Sequence, residues 1–317
     1  MTQIPYLDAA QLDRLLDYPS LVDALREGFA ADWTVPVRHH YSIPIKGEPD
    51  QTLLLMPAWD AGEAIGMKLA TITPGNGARG LPAVNAVYLL VDGPTGQPRA
   101  LMDGACLTVR RTAAASALAA RYLARKDASV MLMVGAGALS RPFIEAHLSQ
   151  RPIKRVMLWA RKAEQREAKA RELAALGLPV EPAADLEAAA RAADLITCAT
   201  LSTTPLIKGA WLKPGTHLDL VGAFTPEMRE SDDEAVKRAT LFCDTRAGAL
   251  KEGGDLVIPL KAGVITEASV KAELAELARG QHKGRASDQE ITLFKSVGTA
   301  VEDFAAARLA MAKIGHA

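Results

Sequence analysis

The segment from Ser129 to Leu148 constrains the fold more than any other. Ser129-Val-Met-Leu-Met-Val134 is largely apolar and too short for a buried helix, and it runs straight into Gly135-Ala-Gly137-Ala-Leu-Ser140. Such a run, closed by two glycines, predicts a buried strand and a tight turn, with a helix opening over Arg141 to Leu148. Gly135 permits the turn. Gly137, lacking a side chain, lets backbone N–H groups approach a pyrophosphate at the helix's positive end. Ser140 stands where the usual fingerprint has its third glycine. Taken alone, the segment therefore fits an ordinary strand–helix turn as well as a dinucleotide site.

The following residues favour the dinucleotide. Arg155-Val-Met-Leu-Trp159 is a second apolar run, and Lys162 to Leu176 reads as a polar, Ala-rich helix closed by Gly177. Ala188 to Ala193 is helical again and feeds Asp194-Leu-Ile-Thr-Cys-Ala-Thr200. His217-Leu-Asp-Leu-Val221 and Thr240-Leu-Phe-Cys-Asp244 supply further strands. Strands alternating with helices at this spacing predict parallel crossovers and a doubly wound α/β sheet, with ligands at the strands' carboxyl ends.

The end of the second strand bears on the cofactor. A chain that prefers NAD usually places an acid there for the ribose hydroxyls. Here the strand ends Trp159-Ala160-Arg161-Lys162, with no carboxylate before Glu164. Arg161 and Lys162 suit a 2'-phosphate by charge and by the fork geometry of guanidinium, which predicts NADPH over NADH. The competing explanation, two solvated basic residues, sets cations at the unfavourable end of a helix dipole.

Composition narrows the class. Hydrophobic residues make up 49% of 317, enough for a substantial core and two domains. Formal charge is zero, which indicates neither nucleic acid nor an anionic membrane surface as partner. No apolar run is long enough for a membrane span, and Met1-Thr-Gln-Ile-Pro5 has no leader pattern. Cys106, Cys198 and Cys243 are scattered without metal-type spacing, as in a reduced, cytoplasmic protein.

The first third differs from the alternating middle. Asp8 caps a short helix to Leu16, Tyr18-Pro19 breaks it, and Ser20 begins another helix carrying Leu21, Leu25 and Phe29 at helical spacing. Strand-like runs follow at Val35–Tyr41, Thr52–Met56, Ala64–Ile72, Ala83–Val91 and Arg99–Met102, with a hairpin turn at Asp92-Gly93-Pro94-Thr-Gly96. They predict a mostly antiparallel sheet. Thr108 to Leu123 makes an Ala-rich helix connecting this part to the next. Lys68 falls inside a strand, where the ordinary expectation is the solvent face. Arg38, His39 and His40 adjoin, the two histidines facing opposite ways, and a structural role suits them.

Three longer stretches, Asp103-Gly104…Leu107-Thr-Val-Arg-Arg111-Thr-Ala-Ala-Ala-Ser116, Val134-Gly-Ala-Gly-Ala138 and Ile291-Thr-Leu-Phe-Lys-Ser-Val-Gly298-Thr-Ala-Val-Glu-Asp303, resemble the ornithine cyclodeaminase/mu-crystallin family. Ala199-Thr200, Pro205 and Leu250-Lys-Glu-Gly-Gly-Asp255 match the same pattern. The resemblance implies a substrate and dimerisation domain from both chain ends, 1–118 with 291–317, around a Rossmann-type domain, 119–290. It implies a small-molecule substrate and a homodimer. Lys68 matches the family's active-site lysine, and Arg111 and Arg38 match the arginines that hold a substrate carboxylate. Asn85 is a further candidate for the ligand. The cofactor positions that follow are Gly135, Gly137, Ala138, Leu139, Arg161, Lys162, Thr200, Gly222 and Gly298.

One departure matters. Cyclodeaminases of the family carry a catalytic aspartate where this chain has Phe224, which neither accepts a proton nor pairs with ammonium. Pro226…Arg229-Glu230 resembles the run of mu-crystallin-like ketimine reductases, which also lack that aspartate, and Val221-Gly-Ala-Phe-Thr-Pro226 is most similar to the subgroup that reduces delta-1-pyrroline-2-carboxylate. Three readings stay open: a cyclic-imine reductase; an open-chain amino-acid dehydrogenase, cyclodeaminase or amine-adding synthase; and a non-catalytic NADPH-binding protein. Retention of Lys68 and Arg111 speaks against the last. On the first, Arg38 and Arg111 clamp the carboxylate and a partly neutral Lys68 shares a proton with the imine nitrogen.

Overall fold

The computed structural model describes residues 4–314. Residues 1–3 of the N-terminus considered above, and 315–317 of the span given to the first domain, lie outside the described residues. Two compact units emerge: residues up to Thr112 together with those from Thr299 onward, and Ala113–Gly298.

The first unit is built on a six-stranded sheet. In spatial order its strands are Tyr6–Leu7, Pro98–Asp103, Val84–Asp92, Ala64–Ile72, Gln51–Asp60 and His39–Ile43. All neighbours are antiparallel except Tyr6–Leu7, which runs parallel to Pro98–Asp103. Strand alternation sends Met56, Lys68, Tyr88 and Met102, which oppose one another in register, to one buried face. The other face is also apolar but half open: Ile65 and Leu69 are each 40% exposed and Tyr41 is 49%. Val35–Tyr41 is a strand only from His39, after a bridge at Thr34, because Pro36 offers no N–H to a ladder.

Helices Ala9–Leu15, Tyr18–Ala30 and Ala300–Ile314 belong to the same unit. Asp8 caps the first through the N–H of Gln11. Tyr18-Pro19 starts the second helix rather than merely ending the first: Asp17 accepts from Ser20, and proline fits a first turn that needs no donor. Phe304 of the last helix meets Trp33 edge-on at 4.7 Å.

The second unit holds eight parallel strands, in the order Val270–Glu273, Thr240–Cys243, Thr292–Lys295, His217–Leu220, Leu195–Cys198, Val130–Val134, Arg155–Trp159 and Val180–Pro182. From Val130–Val134 the chain winds outward through Arg155–Trp159, then returns to Leu195–Cys198 on the other side. The switch point therefore lies between Gly135 and Ala199. Residues 291–298 belong here rather than with the chain ends, since Thr292–Lys295 forms a central strand with no exposed residue. Likewise the helix Gly104–Leu123 passes from one unit to the other at Thr112, not at 118.

Candidate active site

At the switch point, Gly135 adopts φ +123°, and a Cβ there would lie 2.7 Å from the Ala199 carbonyl oxygen. Only glycine makes this turn. A Cβ on Gly137 would meet nothing within 4 Å, so the backbone after the strand faces open space. Ala138 is exposed, Leu139 is the N-cap of helix Ser140–Gln150, and no side chain caps that N-terminus. Ser140, in the third-glycine position, turns its hydroxyl back to the Gly137 carbonyl at 2.8 Å. The uncapped N–H groups and open backbone suit an anionic group.

Beside this turn is a cavity of about 310 Å³ lined by Gly135, Trp159, Arg161, Thr200 and the loop to Leu206. No carboxylate lines it. Lys162 is exposed at the N-cap of helix Ala163–Ala175 and does not line the cavity. Gly222 is buried and packs on Thr200, while Gly298 donates its N–H to Asp244 at 2.7 Å. The open glycine turn, the uncapped helix N-terminus and the adjoining cavity fit a dinucleotide.

In the first unit, Lys68 is 3% exposed, against the expectation of a solvent-facing strand lysine. Its Nζ lies 2.7 Å from Oδ2 of Asp303 and 3.4 Å from the Thr108 hydroxyl. Arg111 Nε lies 3.0 Å from Asp303 Oδ1 as an ion pair, and its Nη1 donates to Glu302. Burial, together with the Arg111 charge, pulls Lys68 down to about 8, against Asp303 and Glu302, which raise it. Four buried charges, two of each sign, thus share one cluster. Neighbouring Arg110 has a different task. It donates to the Leu16 carbonyl at 3.1 Å and stacks over Tyr18 at 4.1 Å.

Arg38 is half-buried and immediately precedes the edge strand. His39 opposes Leu55, and Met56 opposes Lys68, so Arg38 continues the Met56–Lys68–Tyr88 row by one register step. His40 follows on that strand, and His39 turns to the opposite face. Asn85 is not brought to the cluster. It opposes Thr71, three positions from Lys68 and so on the other face, is exposed, and donates to the Pro82 carbonyl at 3.3 Å. Phe224 is 37% exposed in the loop after His217–Leu220. Sequence reasoning missed Glu302 and Asp303. Two acids at a helix start read as ordinary partners of its dipole.

The whole described chain has close relatives. Residues 8–316 match the model of the ornithine cyclodeaminase/mu-crystallin family. Delta(1)-pyrroline-2-carboxylate reductase of Paracoccus denitrificans is 38% identical over 286 residues, 90% of this chain and 89% of that protein. The solved structure of Thermococcus litoralis delta(1)-pyrroline-2-carboxylate reductase, in complex with NADH and L-proline, is 35% identical. It superposes with a TM-score of 0.91 over 99% of this chain and 98% of that one. An archaeal alanine dehydrogenase dimer with bound NAD is 30% identical, with a TM-score of 0.89 over 98% and 97%. With its motifs, its parallel sheet and these full-length similarities, this chain belongs to the ornithine cyclodeaminase/mu-crystallin family.

Proposed function

We propose that this protein reduces a cyclic imine carboxylate, delta-1-pyrroline-2-carboxylate or delta-1-piperideine-2-carboxylate, to L-proline or L-pipecolate, using NADPH in preference to NADH. The observation that carries this reading is the buried quartet of Lys68, Arg111, Glu302 and Asp303. Fully ionised, the quartet is neutral. A substrate with one carboxylate and a basic imine nitrogen meets a cation for the first in Arg111 and a proton donor for the second in Lys68.

Arg111 offers a planar fork to the substrate carboxylate, held in orientation by Glu302 and Asp303, and Arg38 extends the same row as a second cation. Lys68 stands ready to hand a proton to the imine nitrogen, since an acid near 8 remains charged at neutrality yet releases its proton readily. A reduced nicotinamide, when bound, supplies the hydride that the imine carbon accepts. The residues that would hold it are Gly135, Gly137, Ala138 and Leu139, whose turn and helix N-terminus offer backbone N–H groups to a pyrophosphate, together with Thr200, Gly222 and Gly298. Arg161 and Lys162 take the 2'-phosphate. Support for NADPH is the cavity lining, which has a guanidinium and no acid.

A homodimer belongs to the reading. The second face of the antiparallel sheet, with Tyr6, Tyr41, Ile65 and Leu69 each at least 40% exposed, is too apolar to stay solvated. A two-fold copy of the same face covers it. No described helix is long and apolar enough to cross a membrane.

Similarity to an alanine dehydrogenase favours one second reading, reduction of an open-chain imino acid. Purified protein with NADPH and an equilibrium mixture of the five- or six-membered imine tests the proposal, with pyruvate and ammonia in parallel. A fall in absorbance with the cyclic imines, much faster than with pyruvate and ammonia, is expected. The reverse order supports the open-chain substrate, and no consumption in either arm rejects both.

A further inference from the structure

Three of the chain's motifs converge within the second unit: Pro226…Arg229-Glu230, Leu250-Lys-Glu-Gly-Gly-Asp255 and Ile291-Thr-Leu-Phe-Lys295. They bring together Glu230, Asp255 and Lys295, all buried. Lys295 Nζ lies 3.3 Å from Asp255 Oδ2. Oδ1 of Asp255 accepts from the backbone N–H groups of Glu230 at 2.8 Å and Ser231 at 2.9 Å. The Glu230 carboxylate then accepts three hydrogen bonds. Oε1 takes them from the Thr200 N–H at 2.7 Å and its hydroxyl at 2.8 Å, and Oε2 from the Gly222 N–H at 2.7 Å.

Thr200 follows the strand Leu195–Cys198, and Gly222 follows its neighbour His217–Leu220. One buried side chain therefore ties the loops at the carboxyl ends of two adjacent strands. The packing leaves no slack. A Cβ on Gly222 would lie 2.0 Å from the Thr200 carbonyl oxygen and 2.5 Å from Glu230 Oε1, and one on Gly254 would lie 1.9 Å from the Met228 carbonyl oxygen. Stability alone does not call for such a group, because well-packed apolar residues often fill a buried ionic site at no loss. Its placement at the ligand-binding edge of a doubly wound sheet points to the ligand.

We infer that Glu230 is a positioning residue for the nicotinamide cofactor: its carboxylate holds the Thr200 and Gly222 loops in the cofactor-binding arrangement, and its protonation loosens them. This rests on the assignment of Ala113–Gly298 to the cofactor. The ionisable groups facing Glu230 are Asp255 from helix Gly254–Lys261, Lys295 from the central strand and the Cys198 thiol. Burial first, then Asp255, push Glu230 up to about 7, while Lys295 and the Thr200 hydrogen bonds hold it down. Deprotonated, it satisfies all three donors. Protonated, it turns one oxygen into a donor among donors.

The test is NADH affinity of the whole protein by fluorescence titration between about pH 8.5 and about pH 6, because NADH lacks the 2'-phosphate that titrates in this range. The Kd should be constant above about pH 8 and rise about tenfold by about pH 6. Glu230→Gln, neutral throughout, should keep the weak affinity at every pH. Asp255→Asn removes a charge that raises Glu230 and should move the midpoint to lower pH. That arm and the wild-type profile decide the matter if Glu230→Gln does not fold. A flat wild-type profile overturns the inference, as does a Glu230→Gln protein with the wild-type midpoint. No imine enters the assay, so failure of the substrate assignment leaves these outcomes intact. Absence of any nicotinamide binding overturns the inference together with the cofactor assignment.

Discussion

Nζ of Lys68 lies 2.7 Å from Oδ2 of Asp303, both side chains are buried, and 235 residues separate them. The last helix therefore does more than cover the antiparallel sheet. It carries the counter-charges that allow a lysine and an arginine to stay ionised without water. Burial lowers the lysine and Asp303 opposes that fall, so the pair sets where Lys68 exchanges its proton.

Lys68→Ala should lower kcat by about 100-fold and raise KM, because it removes both a proton donor and a cation. Arg111→Ala should act chiefly through KM. Steady-state kinetics on the cyclic imine check both. A Lys68→Ala enzyme within about twofold of wild type would return Lys68 to a structural role.

The pH profile follows from the sign of the Lys68 shift. A lysine lowered to about 8 is protonated below that pH and loses its proton above it. As proton donor it should give a kcat that is level below about pH 8 and falls about tenfold per pH unit above. Asp303→Asn removes a charge that raises Lys68, so the limb should move to lower pH. The same change leaves two buried cations short of a partner and should cost about 3–5 kcal/mol in denaturant unfolding.

Cofactor preference should reverse or flatten in Arg161→Asp, through loss of the 2'-phosphate contact and gain of a ribose acceptor, by about tenfold or more in the kcat/KM ratio. A wild-type enzyme that uses NADH as well as NADPH would show that the charge at the end of the second strand does not select the phosphate.

Phe224 should make the enzyme inert toward L-ornithine with NAD. No ammonia release is expected. Proline formation from ornithine at a rate near that of imine reduction would require an acid elsewhere to take the missing aspartate's part.

Leu69→Glu places a charge at the middle of the open apolar sheet face. Sedimentation velocity should show a dimer for wild type and a monomer for the variant, with the circular dichroism spectrum unchanged. A monomeric wild-type protein would refute the assigned interface.

Much of the fold follows from local pattern. The apolar run Ser129–Val134 with its two glycines, the strands near Arg155, Leu195, His217 and Thr240, and the antiparallel hairpins all carry their period or their turn chemistry within a few residues. The strand Thr292–Lys295 escaped such reading, because a central position for Lys295 depends on Asp255, forty residues earlier in the chain. Tyr18-Pro19 illustrates the same limit on a smaller scale: the proline alone reads as a stop, and only Asp17 turned onto Ser20 makes it a start.

By itself, the sequence determined the family, the doubly wound sheet and the identity of the cations Lys68, Arg111 and Arg161, because motif spacing and residue chemistry are local properties. Tertiary structure decided which of those cations are buried, that Glu302 and Asp303 face Lys68 and Arg111, that Asn85 turns away, and that Glu230 joins two loops. Those outcomes are set by the desolvation of charges brought together from distant parts of the chain. Burial, unlike periodicity, is a property of everything packed around a residue.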